Sequence, residues 1–463
     1  MLQDTNPQGI AKSSGVEQDL EAFVATELDG MRMSRFHTRV IALISAGLFF
    51  DLFDIVVFGA IVPDLLKTKF ATPAGAALIA SMTFIGLLVG SVGQGELTDR
   101  FGRKTVYQAN LLIFGIATLA SATSPNYLAL AIWRFIAGIG LGAEIPLAYA
   151  YASEFSPKAS RGRVLSLVNF FGATLAVPLS TLFVFATRQT IGWRGVFVFI
   201  GVAALIVFIL RIGLPESPRW MANKGRVTDT LALLRRMGVS INASTRFVAK
   251  AKPRKIQDPL LSLFRRYPRR ISAYMAAMFF ANIGIYVMLT WLPTLLGKQG
   301  MNIEKSLVFS LVITSAFPIS SLALMYLLDR FGRIRTILAG FMLAGLSAFA
   351  FRVVATPGVS PGLLLSVGFV MAFFIDIAGN TLILMSGELF PTSARSSGGG
   401  LGLGAGRAGG IAASYVVVLT LAHFGVPGVF TALGISLIAG MICTAFLDLE
   451  PAKLSLEAIA QED

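Results

Sequence analysis

The sequence predicts an all-α membrane protein of twelve transmembrane helices in two pseudo-symmetric six-helix bundles. Three observations carry this: a composition short of charge, twelve apolar runs of spanning length, and an internal repeat. Of the 463 residues 55% are hydrophobic and only 14% charged, and the mean hydropathy is +0.73. A soluble domain carries roughly 25% charged residues, so this chain lacks the polar surface to cover itself in water. At this length a soluble protein would divide into about three domains, whereas in a membrane one bundle suffices. The formal charge of +14 raises the question of nucleic acid. The basic residues lie between the apolar runs, so membrane orientation explains them and no nucleic-acid partner is expected.

A span needs about 20 apolar residues. Such runs occur at 39–66, 74–97, 105–122, 128–152, 164–187 and 194–213, then at 271–296, 306–328, 336–353, 361–387, 397–421 and 425–447. The expected organisation is an N-terminal tail (1–38), a six-helix bundle (39–213), a basic linker (214–270), a second bundle (271–447) and a short tail (448–463). The first 38 residues are polar with no cleavable signal pattern, so the first run is a true span. Alternate connections are basic: Arg100, Arg103 and Lys104; Lys158, Arg161 and Arg163; Arg330, Arg333 and Arg335; and Arg395. The linker holds 14 basic residues against three acids, Glu216, Asp229 and Asp258. The other connections carry few, such as Lys67, Lys69, Arg188 and Lys298. Basic connections stay cytoplasmic, which places both termini there, as expected for a multi-pass protein of a bacterial inner membrane.

The repeat is direct. DRFGR stands at 99–103 and again at 329–333, an offset of 230. At the same offset FFDLFDIVVFGAIVPDLL (49–66) lies over FFANIGIYVMLTWLPTLL (279–296) without gaps. SEFSPKASRG (153–162) echoes GELFPTSARSSG (387–398). Two halves related by a parallel repeat is the layout of transporters that rock about a central site.

GELTDRFGRKTV (95–106) resembles the signature loop between helices 2 and 3 of the major facilitator superfamily, and LLDRFGRIRTI (327–337) resembles its second-half copy. The resemblance covers nearly the whole chain and implies the major facilitator fold. PESPRW (215–220) and EFSPKASRGR (154–163) are similar to the sugar-porter-like branch. There the likeness implies cytoplasmic gating ion pairs among Asp99, Arg103, Glu154, Arg163, Asp329, Arg333, Glu388 and Arg395.

Run 1 places Asp51 and Asp54 among apolar residues, where each charge costs about 2.5–3.5 kcal/mol on insertion scales. The repeat puts Ala281 and Gly284 at the matching positions, so the scaffold itself does not need acids there. The stretch resembles the paired-aspartate pattern of aromatic acid:proton symporters, with Leu52 where that family has glycine. The resemblance implies proton coupling through Asp51 and Asp54; the similarity to the sugar-porter branch, whose single aspartate matches Asp54, implies Arg134 of run 4 as its partner. In run 4, Gly138, Gly140 and Gly142 form a small-residue stripe for close packing. GIGLGAEIP resembles phosphate:proton symporters and leaves Glu144 as either a second proton site or a salt-bridge partner.

Depth connects these charges. At 1.5 Å per residue Asp51 lies about 18 Å from the cytoplasmic end and Glu144 about 12 Å, with Asp376 and Arg407 near 15 Å. Asp54 and Arg134 follow at about 22 and 27 Å. Three acids and one fixed cation in one layer cannot all stay charged without penalty, so proton uptake by an acid is the expected coupling. Arg407, in the glycine-rich GGGLGLGAGRAGG, either anchors a substrate anion with its planar fork or pairs permanently with Asp376. Asp376, Asn380, Tyr286, Asn282, Asn169, Phe53 and Tyr149 are the candidate substrate-binding residues beside it, with Trp291 a further aromatic.

The expected function is therefore proton-coupled uptake of a small organic anion, an aromatic or other monocarboxylate, by alternating access. A sugar or neutral-solute porter (from PESPRW) and a phosphate symporter (from GAEIP) are the alternatives. The efflux-type helix 5 motif is absent from LVNFFGATLAVPLS. Cys443 lies alone in an apolar run, and neither His37 nor His423 has a partner at metal-ligand spacing, so no enzyme, metal or cofactor is expected. The expected partners are the small-molecule substrate, protons and membrane lipid, with the protein monomeric.

Overall fold

A computed structural model of the chain describes residues 17–142, 144–241, 246–248, 260–356, 359–386, 389–390 and 395–447. Among them ten helices are long and apolar enough to cross a membrane. Two are far longer than one crossing needs: Lys158–Arg211 with 54 residues and Ser397–Ala445 with 49. Each contains a glycine with left-handed φ, Gly192 (+61°) and Gly425 (+65°), where the chain reverses and a second span begins. Only glycine adopts this backbone without a Cβ penalty. The two stand 233 residues apart, at equivalent places in the repeat. Twelve spans result, as the apolar runs predict.

Spans 1 to 6 pack chiefly on one another, as do spans 7 to 12. Span 1 is Arg35–Lys67, span 2 Pro73–Phe101 and span 3 Arg103–Ala122. Span 4 consists of Tyr127–Leu141 and Glu144–Glu154. Its glycine stripe packs as expected: a Cβ on Gly138 would stand 2.4 Å from the Thr83 carbonyl oxygen of span 2, and one on Gly140 2.6 Å from that of Asn110 in span 3. Span 5 begins at Arg161–Asn169 and passes through a π turn at Phe170–Thr174. Span 7 runs Pro268–Tyr286, a π turn Val287–Trp291, then Leu292–Lys298. Span 8 is Ile303–Thr314 and Ala316–Phe331, span 9 Arg333–Val354, and span 10 Pro361–Met385. Gly192 divides span 5 from span 6, and Gly425 divides span 11 from span 12.

Residues 17–38 are more structured than their polarity suggests. Leu20–Gly30 is a helix whose Leu20, Val24 and Leu28, one turn apart, are buried on the short helix Pro218–Asn223. Glu17–Asp19 pairs in parallel with Arg246–Val248. Both segments therefore gather at the end of the bundle that carries Arg103, called here the basic end.

Candidate functional site

The apolar interior of span 1 holds two acids one turn apart, and the structure treats them differently. Arg134 reaches Asp54 with both prongs, Nη1 to Oδ1 at 2.8 Å and Nη2 to Oδ2 at 2.6 Å. Both side chains are fully buried, and Phe197 packs against the guanidinium at 5.5 Å. Asp51 is also buried, but its Oδ2 meets no hydrogen-bond partner.

Glu144 belongs to an arrangement that the sequence reading did not contain. Arg211, near the end of span 6, donates from Nη1 to Glu144 Oε1 at 2.9 Å. It also donates to the Leu43 and Ile44 carbonyls of span 1 and to the Tyr107 hydroxyl of span 3. Four spans are thus tied through one buried guanidinium, which also lies 4.1 Å over the Tyr107 ring. In the sequence Arg211 sits at the border of an apolar run and a basic connection, where orientation alone accounts for an arginine. The one signal was Glu144 itself, a buried acid in need of a cation.

The second half supplies the other two members of the expected layer, and they do not pair. Asp376 accepts hydrogen bonds from Ser320 and from Asn380 Nδ2 at 2.9 Å. Arg407, 7% exposed, donates from Nη1 to the Tyr286 hydroxyl at 2.8 Å and makes no ion pair among the described residues. The Tyr286 ring meets Phe84 of span 2 with centroids 4.2 Å apart. A guanidinium bonded to the hydroxyl of a tyrosine thus lies near the place where spans 2 and 7 of the two halves meet. Glycines of span 11 make the room: a Cβ on Gly410 would stand 2.9 Å from Tyr286, and one on Gly406 2.6 Å from the Asn282 amide.

The remaining candidates separate. Asn169, at the start of the π turn in span 5, accepts from the Tyr149 hydroxyl at 2.8 Å and donates to Ser321 of span 8 at 2.9 Å, which links the halves. Ser321 neighbours Ser320, so this chain ends beside Asp376. Tyr286 borders the π turn of span 7, and π turns frequently mark functional positions. Asn282 donates to its own helix at Met278. Phe53 is packed against Phe49 and Phe183. Trp291 is fully buried with its Nε1 on Ser414.

At the basic end Arg103 pairs with Glu154. Glu216 of the PESPRW stretch accepts the backbone N–H groups of Arg103 and Lys104, 3.1–3.2 Å away, which caps span 3. A Cβ on Gly102 would stand 2.4 Å from Glu216 Oε2, so this close approach needs glycine. Arg163, expected in the ion-pair set, is exposed and has no ion pair among the described residues; its neighbour Arg161 takes Asp29 of the N-terminal helix at 2.6 Å instead. The position of Arg163 on the turn, two residues along the helix from Arg161, turns it away from that acid. Arg333 opens span 9. Glu388 and the side chains of Asp99, Asp329 and Arg395 lie outside the described residues. The sequence reading also missed Asp64, which holds Arg188 with two bonds of 2.7 and 3.1 Å at the opposite end.

Comparison with known proteins agrees with this architecture. The family described as "Sugar (and other) transporter" matches residues 40–462. The niacin transporter NiaP of Acinetobacter baylyi is 32% identical over 443 residues, covering 94% of this chain and 99% of that protein. The 4-hydroxybenzoate transporter PcaK of Pseudomonas putida is 27% identical over 408 residues, covering 86% and 88%. The crystal structure of a D-xylose-proton symporter superposes with a TM-score of 0.68 at 21% identity, over 90% of this chain and 98% of that one. The chain is therefore a multi-pass membrane transporter that belongs to the sugar (and other) transporter family of the major facilitator superfamily.

Proposed function

We propose that this protein takes up an aromatic monocarboxylate together with a proton, by alternating access, with its basic end facing the cytoplasm. The observation that carries the reading is Arg407: a buried guanidinium, unpaired with any acid among the described residues, bonded to the hydroxyl of Tyr286, whose ring packs on Phe84. Burying an uncompensated cation is costly, so the site gains most from a ligand that brings a negative charge. The planar fork of arginine suits a carboxylate, and the two aromatic rings suit a flat apolar body. Niacin and 4-hydroxybenzoate, named for two relatives, share one six-membered aromatic ring bearing one carboxylate, which supports this choice. In this reading Tyr286 positions the guanidinium, and Asp376 with Asn380 and Asn169 forms the polar wall opposite.

Proton coupling is assigned to the acids of the first half. Asp54 is locked by two bonds to Arg134, whereas Asp51 has an oxygen without a partner, so Asp51 is the better carrier. A proton on Asp51 removes a charge that no neighbouring hydrogen bond offsets on that oxygen. Loading Asp51 with a proton and Arg407 with a carboxylate neutralises these two buried charges together, which lowers the cost of moving both across the hydrocarbon.

The test uses purified protein in liposomes with nicotinate, 4-hydroxybenzoate, xylose and phosphate. Accumulation of an aromatic carboxylate under an inward proton gradient, abolished in Arg407→Ala, is expected. Transport of xylose or phosphate without any aromatic carboxylate, or equal nicotinate binding by wild type and Arg407→Ala in calorimetry, overturns it.

A further inference from the structure

Arg211 lies fully buried in span 6, and none of the roles above requires it. A guanidinium has five N–H donors. Nε is used on Leu43 at 2.9 Å, Nη2 on Ile44 at 3.0 Å and Tyr107 at 2.9 Å, and Nη1 once, on Glu144 at 2.9 Å. The fifth N–H is on Nη1. The guanidinium occupies the gap left by Gly47 of span 1, where a Cβ would stand 1.8 Å from Nη2 and 2.7 Å from Nη1. Asp51 is four residues further along the same helix and therefore on the same face. Helical side chains lean toward the N-terminus, which puts Asp51 on the Gly47 side of its helix, where it makes no ion pair with Arg211 while Glu144 holds that guanidinium. Its Oδ2 is the buried acceptor without a partner. The charges acting on Asp51 are Glu144 from span 4, Arg211 from span 6, Asp54 from its own helix and Arg407 from span 11.

We propose that Arg211 is a positioning residue shared by Glu144 and Asp51, which compete for it. This deepens the proton-coupled reading given above and rests on it. In the arrangement seen, Glu144 is paired with Arg211 and Asp51 Oδ2 has no partner, and the proton is assigned to Asp51. In the alternative, the O–H bond on Asp51 breaks, one forms on Glu144, and Nη1 passes from Glu144 to Asp51. Two carboxyls, one proton and one guanidinium sum to zero charge in both states, so the exchange needs no other counter-ion. Tyr107 and the two carbonyls of span 1 keep Arg211 in place while Nη1 changes partner. The proton thus gains a second station below Asp51, between spans 1, 4 and 6, apart from the Asp54–Arg134 pair.

Infrared titration of the carboxyl groups in detergent, without substrate, reads this directly. Asp51→Asn and Glu144→Gln assign the two signals. Coupled acids titrate together, so Glu144→Gln and Arg211→Lys should each move the Asp51 midpoint by roughly one pH unit or more. Leu48→Ala loosens the packing of span 1 between Gly47 and Asp51 without changing a charge or a hydrogen bond and should leave the midpoint in place, although it lowers stability. An Asp51 midpoint unchanged in both folded charge variants overturns the sharing. So does a shift in Leu48→Ala equal to theirs, because that is what a structural effect alone produces. If either charge variant fails to fold, the other decides. Substrate-driven proton uptake by the wild type is measured separately: its absence with the midpoint shifts present rejects proton coupling and not the shared arginine.

Discussion

The two aspartates of span 1 show how differently the same residue type behaves one helical turn apart. Asp54 and Arg134 are fully buried and bonded by both prongs. Removing one charge strands the other in a medium that solvates it poorly, at a cost of about 3–5 kcal/mol. Asp54→Asn should therefore lower the thermal unfolding midpoint strongly in detergent. Asp51→Asn strands no partner and should change stability by less than about 1 kcal/mol, while abolishing uphill accumulation and sparing substrate exchange. Equal loss of stability in the two variants contradicts this assignment. Arg407→Lys belongs to the same scale: the charge remains but the fork is lost, so affinity should fall by roughly tenfold or more without a change in folding. Calorimetry with nicotinate reads the difference.

At the scale of the element, glycines and π turns decide where side chains can go. The guanidinium of Arg211 fits only because Gly47 has no side chain, since a Cβ would stand 1.8 Å from Nη2. Gly47→Ala should displace Arg211 from Glu144 and lower the unfolding midpoint by several degrees, whereas Gly162→Ala, with nothing within 4 Å, should leave it unchanged. Gly102 stands in the same position relative to Glu216, which caps span 3. The DRFGR and PESPRW stretches are therefore parts of one structure, an acid folded over a glycine turn onto exposed N–H groups. The π turns of spans 5 and 7 adjoin Asn169 and Tyr286, and the extra residue each inserts changes which face of the helix meets the other half.

The whole molecule is two bundles, and the alternating access proposed for it requires them to separate in turn at each end. Toward the end opposite the basic one, Gly59 of span 1 packs on span 7, where a Cβ would stand 2.6 Å from the Thr290 Cα. Gln189 also donates to Glu304 across the halves. Deeper in, Asn169 and Ser321 join spans 5 and 8 at 2.9 Å. If these contacts open during transport, joining them must stop it. A reducible thiol cross-linker between Asn169→Cys and Ser321→Cys, in a Cys443→Ser background, should abolish uptake and restore it on reduction. Full uptake by the cross-linked protein contradicts movement at that contact.

The sequence by itself determined the transporter class, the twelve spans and the repeat, because each rests on short-range patterns: apolar runs long enough to cross, basic connections between them, and motifs recurring at offset 230. It also marked Asp51, Asp54, Glu144 and Arg407 as costly, since a charge within an apolar run is visible one residue at a time. What it could not assign was partnership. Depth arithmetic gathered Asp51, Glu144, Asp376 and Arg407 into one layer, yet the tertiary structure gives Glu144 to Arg211, Asp376 to Ser320 and Asn380, and Arg407 to Tyr286. Depth follows from position along a helix, but pairing depends on the rotation of each helix about its axis. That rotation is set by side-chain packing between spans distant in sequence, such as Gly47 against Arg211, 164 residues away. The N-terminal helix escaped notice for the same reason: Leu20, Val24 and Leu28 form a stripe too short to stand out, and only the surface of Pro218–Asn223 makes it a buried one.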